Sequence, residues 1–319
     1  MREIGGYIEL DSFHLPMLHE GAIALNCGRN ALAYLLRAKK VERLWIPKLI
    51  CNSVTDTCGR ENIPYTLYDV GPNFLPAGNI RLSEGEWLYF VNYYAQFDNK
   101  TILTYIEKYN RVIVDNAQSY FQKPLPGVDT IYTCRKWFGV PDGAFLYADV
   151  RLSETLQRDE SFERMRFLLG RFERSASEFY TDYVMNNRLF SNEPIKRMSS
   201  LTANLLHAID YAFVEKTRRE NYLALHRELE SINMLNLCIP DDAPFMYPLL
   251  IENGKEIRKK LQEKKIYVPL LWPDVLKTCT PDDPAYHQAE NILPLPCDQR
   301  YTQREMEMVS RTLIDAVSI

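Results

Sequence analysis

Arg111-Val112-Ile113-Val114-Asp115-Asn116-Ala117-Gln118 is the stretch on which the fold turns. Three β-branched residues read as a buried strand, and an acid stands where that strand would end. Working outward, the same pattern repeats on both sides. Upstream, Arg43 to Pro47, Tyr65 to Asp69 and Trp87 to Asn92 read as strands, and Asn99 to Tyr109 as a helix. Gly28 precedes a helical pattern from Asn30 to Lys40, and Asn52 or Ser53 is placed to cap a helix running to about Arg60. Downstream, Val128 to Thr133 and Ala144 to Asp149 complete the set. Strands alternating with helices predict an α/β protein with a large, mixed but mostly parallel sheet covered on both faces.

The second half changes character. From about Leu152 to Ile232 the pattern is helical and charge-rich, broken at Asn186-Asn187 and at Asn192-Glu193-Pro194. Past Pro240, strand signals return at Phe245 to Ile251 and at Ile266 to Pro269, with a helix from Lys255 to Lys264 between them. A last helix is expected from about Thr302 to Val317. The chain should therefore divide into a large α/β domain over 1–225 and a small C-terminal α+β domain over 226–319, the boundary lying within the long helical stretch.

Composition narrows the function. A formal net charge of −4, with both signs spread along the chain, gives no electrostatic footprint for nucleic acid. No apolar run is long enough to cross a bilayer, and Met1 to Gly6 lacks the apolar core of a secretory signal. Cysteines at 27, 51, 58, 134, 238, 279 and 297 have neither zinc-site nor disulfide-framework spacing. They read as reduced thiols, and the five histidines form no metal cluster. The expectation is a soluble, cytoplasmic protein with no metal, membrane or nucleic-acid partner.

Three segments put polar residues where an open sheet binds ligands. They are Asn26-Cys27-Gly28-Arg29-Asn30 at a helix start, Asp115 to Gln118 after a strand, and Thr133-Cys134-Arg135-Lys136 after the next strand. Taken singly, each has a bland reading as turn, cap or surface lysine. Their order and spacing resemble the DegT/DnrJ/EryC1/StrS family of pyridoxal-phosphate (PLP)-dependent sugar aminotransferases. The Asp-x-x-Gln pattern followed by a lysine and a Gly-rich turn, here Lys136 to Gly143, is the specific part. Asn92-Tyr93-Tyr94, Arg197-Met198-Ser199 and Leu293-Pro294-Leu295-Pro296 add weaker likeness.

The resemblance implies a fold-type I PLP-transferase, aspartate aminotransferase-like. It implies transfer of an amino group from an amino donor to a nucleotide-linked keto sugar, through a Lys136 imine. Asp115 would hold the ring nitrogen protonated and Gln118 would donate to the ring oxygen. Gly28, Arg29 and Asn30 would bind the phosphate at a helix start, with Thr133 and Arg135 supplementing them and Cys51 at the ring face. The chain departs from the family at Ile131 and Ile195, which stand where phosphate ligands are usual, at Arg29, where a small hydroxyl residue is usual, and at Cys51, where an aromatic is usual. A homodimer with a shared active site is expected, with 186–197 reaching into the neighbour. A catalytically idle or regulatory PLP or sugar-nucleotide binder, or another PLP reaction on the same fold, remain as alternatives.

Overall fold

Eight strands form one sheet in the computed structural model, which describes residues 4–317; residues 1–3, part of the amino-terminal stretch read above, and 318–319 lie outside the described residues. The strands are β1 (Ile23–Leu25), β2 (Arg43–Pro47), β3 (Tyr65–Val70), β4 (Pro76–Ala77), β5 (Glu86–Val91), β6 (Val112–Asp115), β7 (Asp129–Thr133) and β8 (Ala144–Tyr147). Their order is β1-β8-β7-β6-β5-β2-β3-β4. From β7 through β6, β5 and β2 to β3 every pairing is parallel. β8 runs antiparallel to both β7 and β1, so β1 points the same way as β7. Val112, Ile113 and Val114 are buried without alternation, as are Leu88 to Val91 and Asp129 to Tyr132. That is the pattern of strands covered on both faces.

Packed helices include Gly28–Ala38, Asn52–Arg60 and Asn99–Tyr109. The last of these starts where expected because the Asp98 carboxylate accepts from the Thr101 N–H. A second unit pairs β9 (Tyr247–Leu250) with β10 (Ile292–Leu295) and packs them against the helices Gly254–Glu263 and Gln303–Val317. The helix Tyr211–Leu229 serves both cores. Tyr211 and Val214 pack into the large one; Tyr222, Leu225 and Leu229 pack into the small one. A division at 225–226 would cut this helix, and we propose the helix itself as the joint between the two units.

The structure corrects several expectations. Ile266 to Pro269 is not a strand; β10 takes the place beside β9. Asn186-Asn187 does not break a helix but sits within Tyr180–Leu189, because both amides are tied into tertiary bonds described below. β1, three residues long, is too short to show a period and was not foreseen.

Candidate active site

Sheet register decides which residues meet. Val91 stands opposite Asp115, and Asp115 opposite Ile131, in neighbouring parallel strands. Ala144 of β8 faces Thr133 on one side and Leu25 on the other. The carboxyl ends of β1, β5, β6 and β7 therefore lie along one edge, and the segments that follow them emerge together. Gly28 and Thr133 are in direct contact. A Cβ on Gly28 would stand 2.7 Å from the Thr133 methyl, so only glycine fits without a shift.

At the acidic end of this edge the side chains are held by bonds of their own. The Asp115 carboxylate accepts from the Tyr89 hydroxyl through Oδ2 at 2.9 Å and from the Ala117 N–H through Oδ1 at 2.8 Å. Both oxygens are anchored, so the plane of the carboxylate is fixed. Burial, first of all, and then the Asp115 charge push the Tyr89 phenol well above its usual pKa, which keeps it a donor. Gln118 accepts the Tyr94 N–H at 2.9 Å through Oε1. With the oxygen committed to a donor, the amide NH₂ faces the other way, as a donor itself. Tyr94 and Ala95 both take positive φ, 53° and 59°, a conformation that costs a non-glycine residue. Behind them Asn92, Asn116, Gln122 and Tyr132 form a buried hydrogen-bonded network.

The basic end is finished differently. Arg29 lies in the first turn of the helix Gly28–Ala38, and its Nε is buried without a partner among the described residues. The Thr133 Oγ1 is likewise buried and unpartnered. Arg135 donates to the Asn187 Oδ1 and stacks over Phe190 at 4.7 Å. Burial lowers the Arg135 pKa, and the charge of Arg29 adds to that. Burial raises the pKa of the Cys27 thiol, against the pull of Arg135, Arg29 and Arg60. Three guanidiniums thus gather around one helix start whose own dipole already favours an anion.

Asn30 does not present its side chain to a ligand. Its amide donates to Asn26 Oδ1 and to the carbonyls of Glu193 and Pro194, while its oxygen accepts from Arg60. The Asn26 N–H donates to the Lys196 carbonyl, and the Asn186 amide to that of Pro141. The segment 186–197 is therefore fastened at these points to the large sheet of its own chain. Ile195 is buried in that packing.

Lys136 follows β7 by three residues and projects off the sheet edge. It is exposed in the single chain, and its Nζ lies 5.7 Å from the centre of the Phe245 ring. Cys51 is the half-buried residue that precedes the helix Asn52–Arg60. Tyr89 and Asn187 were missed by sequence reading. Tyr89 sits within an apolar run, and Asn187 looked like a helix breaker. Among the described residues there is no cluster of metal-ligating side chains and no helix long and apolar enough to cross a membrane.

No family model and no curated protein matches the chain's sequence. Solved structures do match its fold. The sugar aminotransferase CalS13 from Micromonospora echinospora is 17% identical, with a TM-score of 0.61 over 92% of this chain and 87% of its own. A DegT DnrJ EryC1 StrS aminotransferase from Brucella abortus is 14% identical, with a TM-score of 0.63 over 93% and 86%. The ntda protein from Bacillus subtilis, with bound cofactor PMP, is 14% identical, with a TM-score of 0.66 over 93% and 73%. The chain has the fold-type I architecture of these aminotransferases.

Proposed function

We propose that this chain is a PLP-dependent aminotransferase that carries an amino group to a nucleotide-linked keto sugar. One observation carries the reading. Along a single sheet edge, an anchored carboxylate, a lysine and an arginine-lined helix start with unpartnered donors occur together. The residues fit PLP. Gly28 leaves room beside Thr133, and the orphaned Arg29 Nε and Thr133 Oγ1 suit its phosphate. Each Asp115 oxygen accepts one bond and retains a lone pair that could meet a ring N–H, and the Gln118 amide, its oxygen taken by the Tyr94 N–H, could donate to the ring oxygen. When bound, PLP supplies an electron sink for cleaving bonds at an amine-bearing carbon. The Lys136 amine would hold the cofactor covalently between turnovers and carry protons at Nζ during them.

The keto-sugar assignment is supported by the likeness in fold to the CalS13 sugar aminotransferase and to the DegT DnrJ EryC1 StrS aminotransferase. The test uses purified chain with added PLP. A yellow species that borohydride bleaches, with the label on Lys136 by mass spectrometry, supports the cofactor reading. Conversion to the pyridoxamine spectrum on adding glutamate supports amino transfer. A label on Lys123 or Lys100, or no label, overturns the assignment; a yellow protein inert to every amino donor favours an idle binder.

The homodimer belongs to the same proposal. Phe162, Leu169, Phe172, Tyr180, Tyr183 and Met185 are exposed along 162–185, and Phe172 is 92% exposed. An apolar surface of this kind suits a self-complementary interface, which for an obligate dimer buries over about 2,000 Å² in total. A second copy would also cover Lys136. Sedimentation should give a dimer at micromolar concentration, and Phe172→Glu should shift it toward monomer. A wild-type monomer would refute the shared site.

A further inference from the structure

Trp137, the residue after Lys136, is the meeting point of three independent contacts. Its indole N–H donates to the Ala117 carbonyl at 3.0 Å, inside the turn that carries Asp115 and Gln118. Its own carbonyl accepts from the Gln299 amide at 2.9 Å, across 162 residues of chain. Its ring is covered by the Arg218 guanidinium, 4.5 Å from the ring centre. The same arginine donates to Gln299 Oε1 at 2.8 Å and to the carbonyls of Pro244 and Phe245 at 3.1 Å each. Phe245 is the ring over which the Lys136 ammonium lies.

Arg218 is an expensive way to hold a loop. It is 1% exposed, and the acceptors of these hydrogen bonds are neutral. Burying a guanidinium without a hydrogen-bonded carboxylate costs free energy that an apolar side chain of the same size would not. Burial lowers its pKa to about 10 while the nearby Cys297 and Asp298 oppose the shift. The contacts it makes in return lie around two neighbours of Lys136: it covers the Trp137 indole, holds the Gln299 that bonds the Trp137 carbonyl, and donates to the backbone at Pro244 and Phe245.

We propose that Arg218 and Gln299 are positioning residues for Lys136, acting through Trp137. The inference rests on Lys136 being the cofactor-linking lysine. Arg218 orients the Gln299 amide by holding its oxygen, and Gln299 then fixes the Trp137 carbonyl. The Trp137 indole ties the same residue to the Asp115–Gln118 turn. The distance between the lysine and the acidic end is thereby set by the C-terminal unit, although neither Arg218 nor Gln299 touches the reacting atoms. Displacements of about 1 Å far from the chemistry cost up to a hundredfold in rate.

Two variants at Gln299 test this, since that side chain is half-exposed and tolerates change better than Arg218. Gln299→Leu removes both bonds. Gln299→Glu keeps an acceptor for Arg218 and removes only the donor to the Trp137 carbonyl. Non-covalent affinity is read with pyridoxamine 5′-phosphate, whose amine cannot link to Lys136, and linkage by the rate of borohydride-trappable adduct at saturating PLP. Both variants should slow linkage about tenfold and leave pyridoxamine phosphate affinity within about twofold of wild type. A merely structural role would move affinity and thermal stability with the rate, or leave Gln299→Glu at the wild-type rate; either result overturns the proposal. Should the wild-type chain form no adduct on Lys136, the cofactor reading itself fails, which the wild-type control reveals on its own.

Discussion

The acidic and basic ends of the sheet edge are built from the same kind of element, a strand end running into a turn, yet they are finished in opposite ways. Asp115 and Gln118 are each held by donors of the surrounding fold. Arg29 Nε and Thr133 Oγ1 are buried with no partner among the described residues. A buried polar atom left unsatisfied costs about 1–3 kcal/mol. The acidic end is thus preorganised before any ligand arrives, while on the proposed reading the basic end would be completed by one. The lesson is a division of labour, in which one end should govern the rate and the other the affinity.

Lys136, between them, gives that comparison its meaning and should show the largest effect. Lys136→Ala removes the amine proposed to link the cofactor, so no borohydride-stable label should form. Its side chain is exposed and makes no hydrogen bond among the described residues, so thermal stability should stay near wild type. A label persisting in this variant would break the comparison at its centre.

Asp115→Asn should come next. The amide keeps the shape and can still accept from the Tyr89 hydroxyl and the Ala117 N–H, but it removes the charge. Turnover should fall on the order of a hundredfold, comparable to losing one electrostatic stabiliser of a transition state. PLP affinity should change far less. Normal turnover would mean that another group meets the ring nitrogen.

Arg29→Ala should give the mirror image. A charge-assisted hydrogen bond contributes roughly 1.5–3 kcal/mol, so PLP affinity should weaken about ten- to a hundredfold. Saturating PLP should restore most of the activity, because Lys136 and Asp115 are untouched. Unchanged affinity would mean that Arg29 serves the protein rather than the phosphate, and the division of labour would fail.

How much of this was legible in the sequence follows the same line. The acidic end was readable because its signal is local: a β-branched run, an acid at its end and a glutamine three residues on. The strands β2, β3, β5, β6, β7 and β8 were found for the same reason. The basic end was readable in which residues gather and not in how they are held. Asn30 was read only for the backbone N–H it offers at a helix start; its side chain is spent on Asn26, Glu193 and Pro194, partners up to 164 residues away. Asn187 looked like a break and is instead the acceptor for Arg135. Nothing in a window of ten residues distinguishes an asparagine that ends a helix from one that is bonded across the fold. β10 was not read as a strand, since Leu293 to Pro296 entered only as part of a family likeness; it is a short run with a proline, which an edge position of this two-stranded ladder tolerates.

Cys51 tests the face of the site between the two ends, and its effect should be the smallest. The residue is half-buried where the helix Asn52–Arg60 begins, and its carbonyl accepts the Val54 N–H, a bond that any side chain leaves in place. Its sulfur can offer a planar ring only a small apolar contact. Removing that contact in Cys51→Ala should cost about 0.5–1 kcal/mol, a two- to fivefold loss of PLP affinity. The informative variant is the opposite one. Cys51→Tyr places an aromatic ring at the same point, and stacking adds about 0.5–1.5 kcal/mol beyond area alone. PLP affinity measured by titration should then tighten two- to tenfold, with turnover near wild type because neither Asp115 nor Lys136 has moved. If Cys51→Tyr leaves affinity unchanged while Cys51→Ala also does nothing, the ring lies elsewhere along the edge. Asp115 and Gln118 would then be anchoring a carboxylate and an amide for something other than the plane of a pyridine.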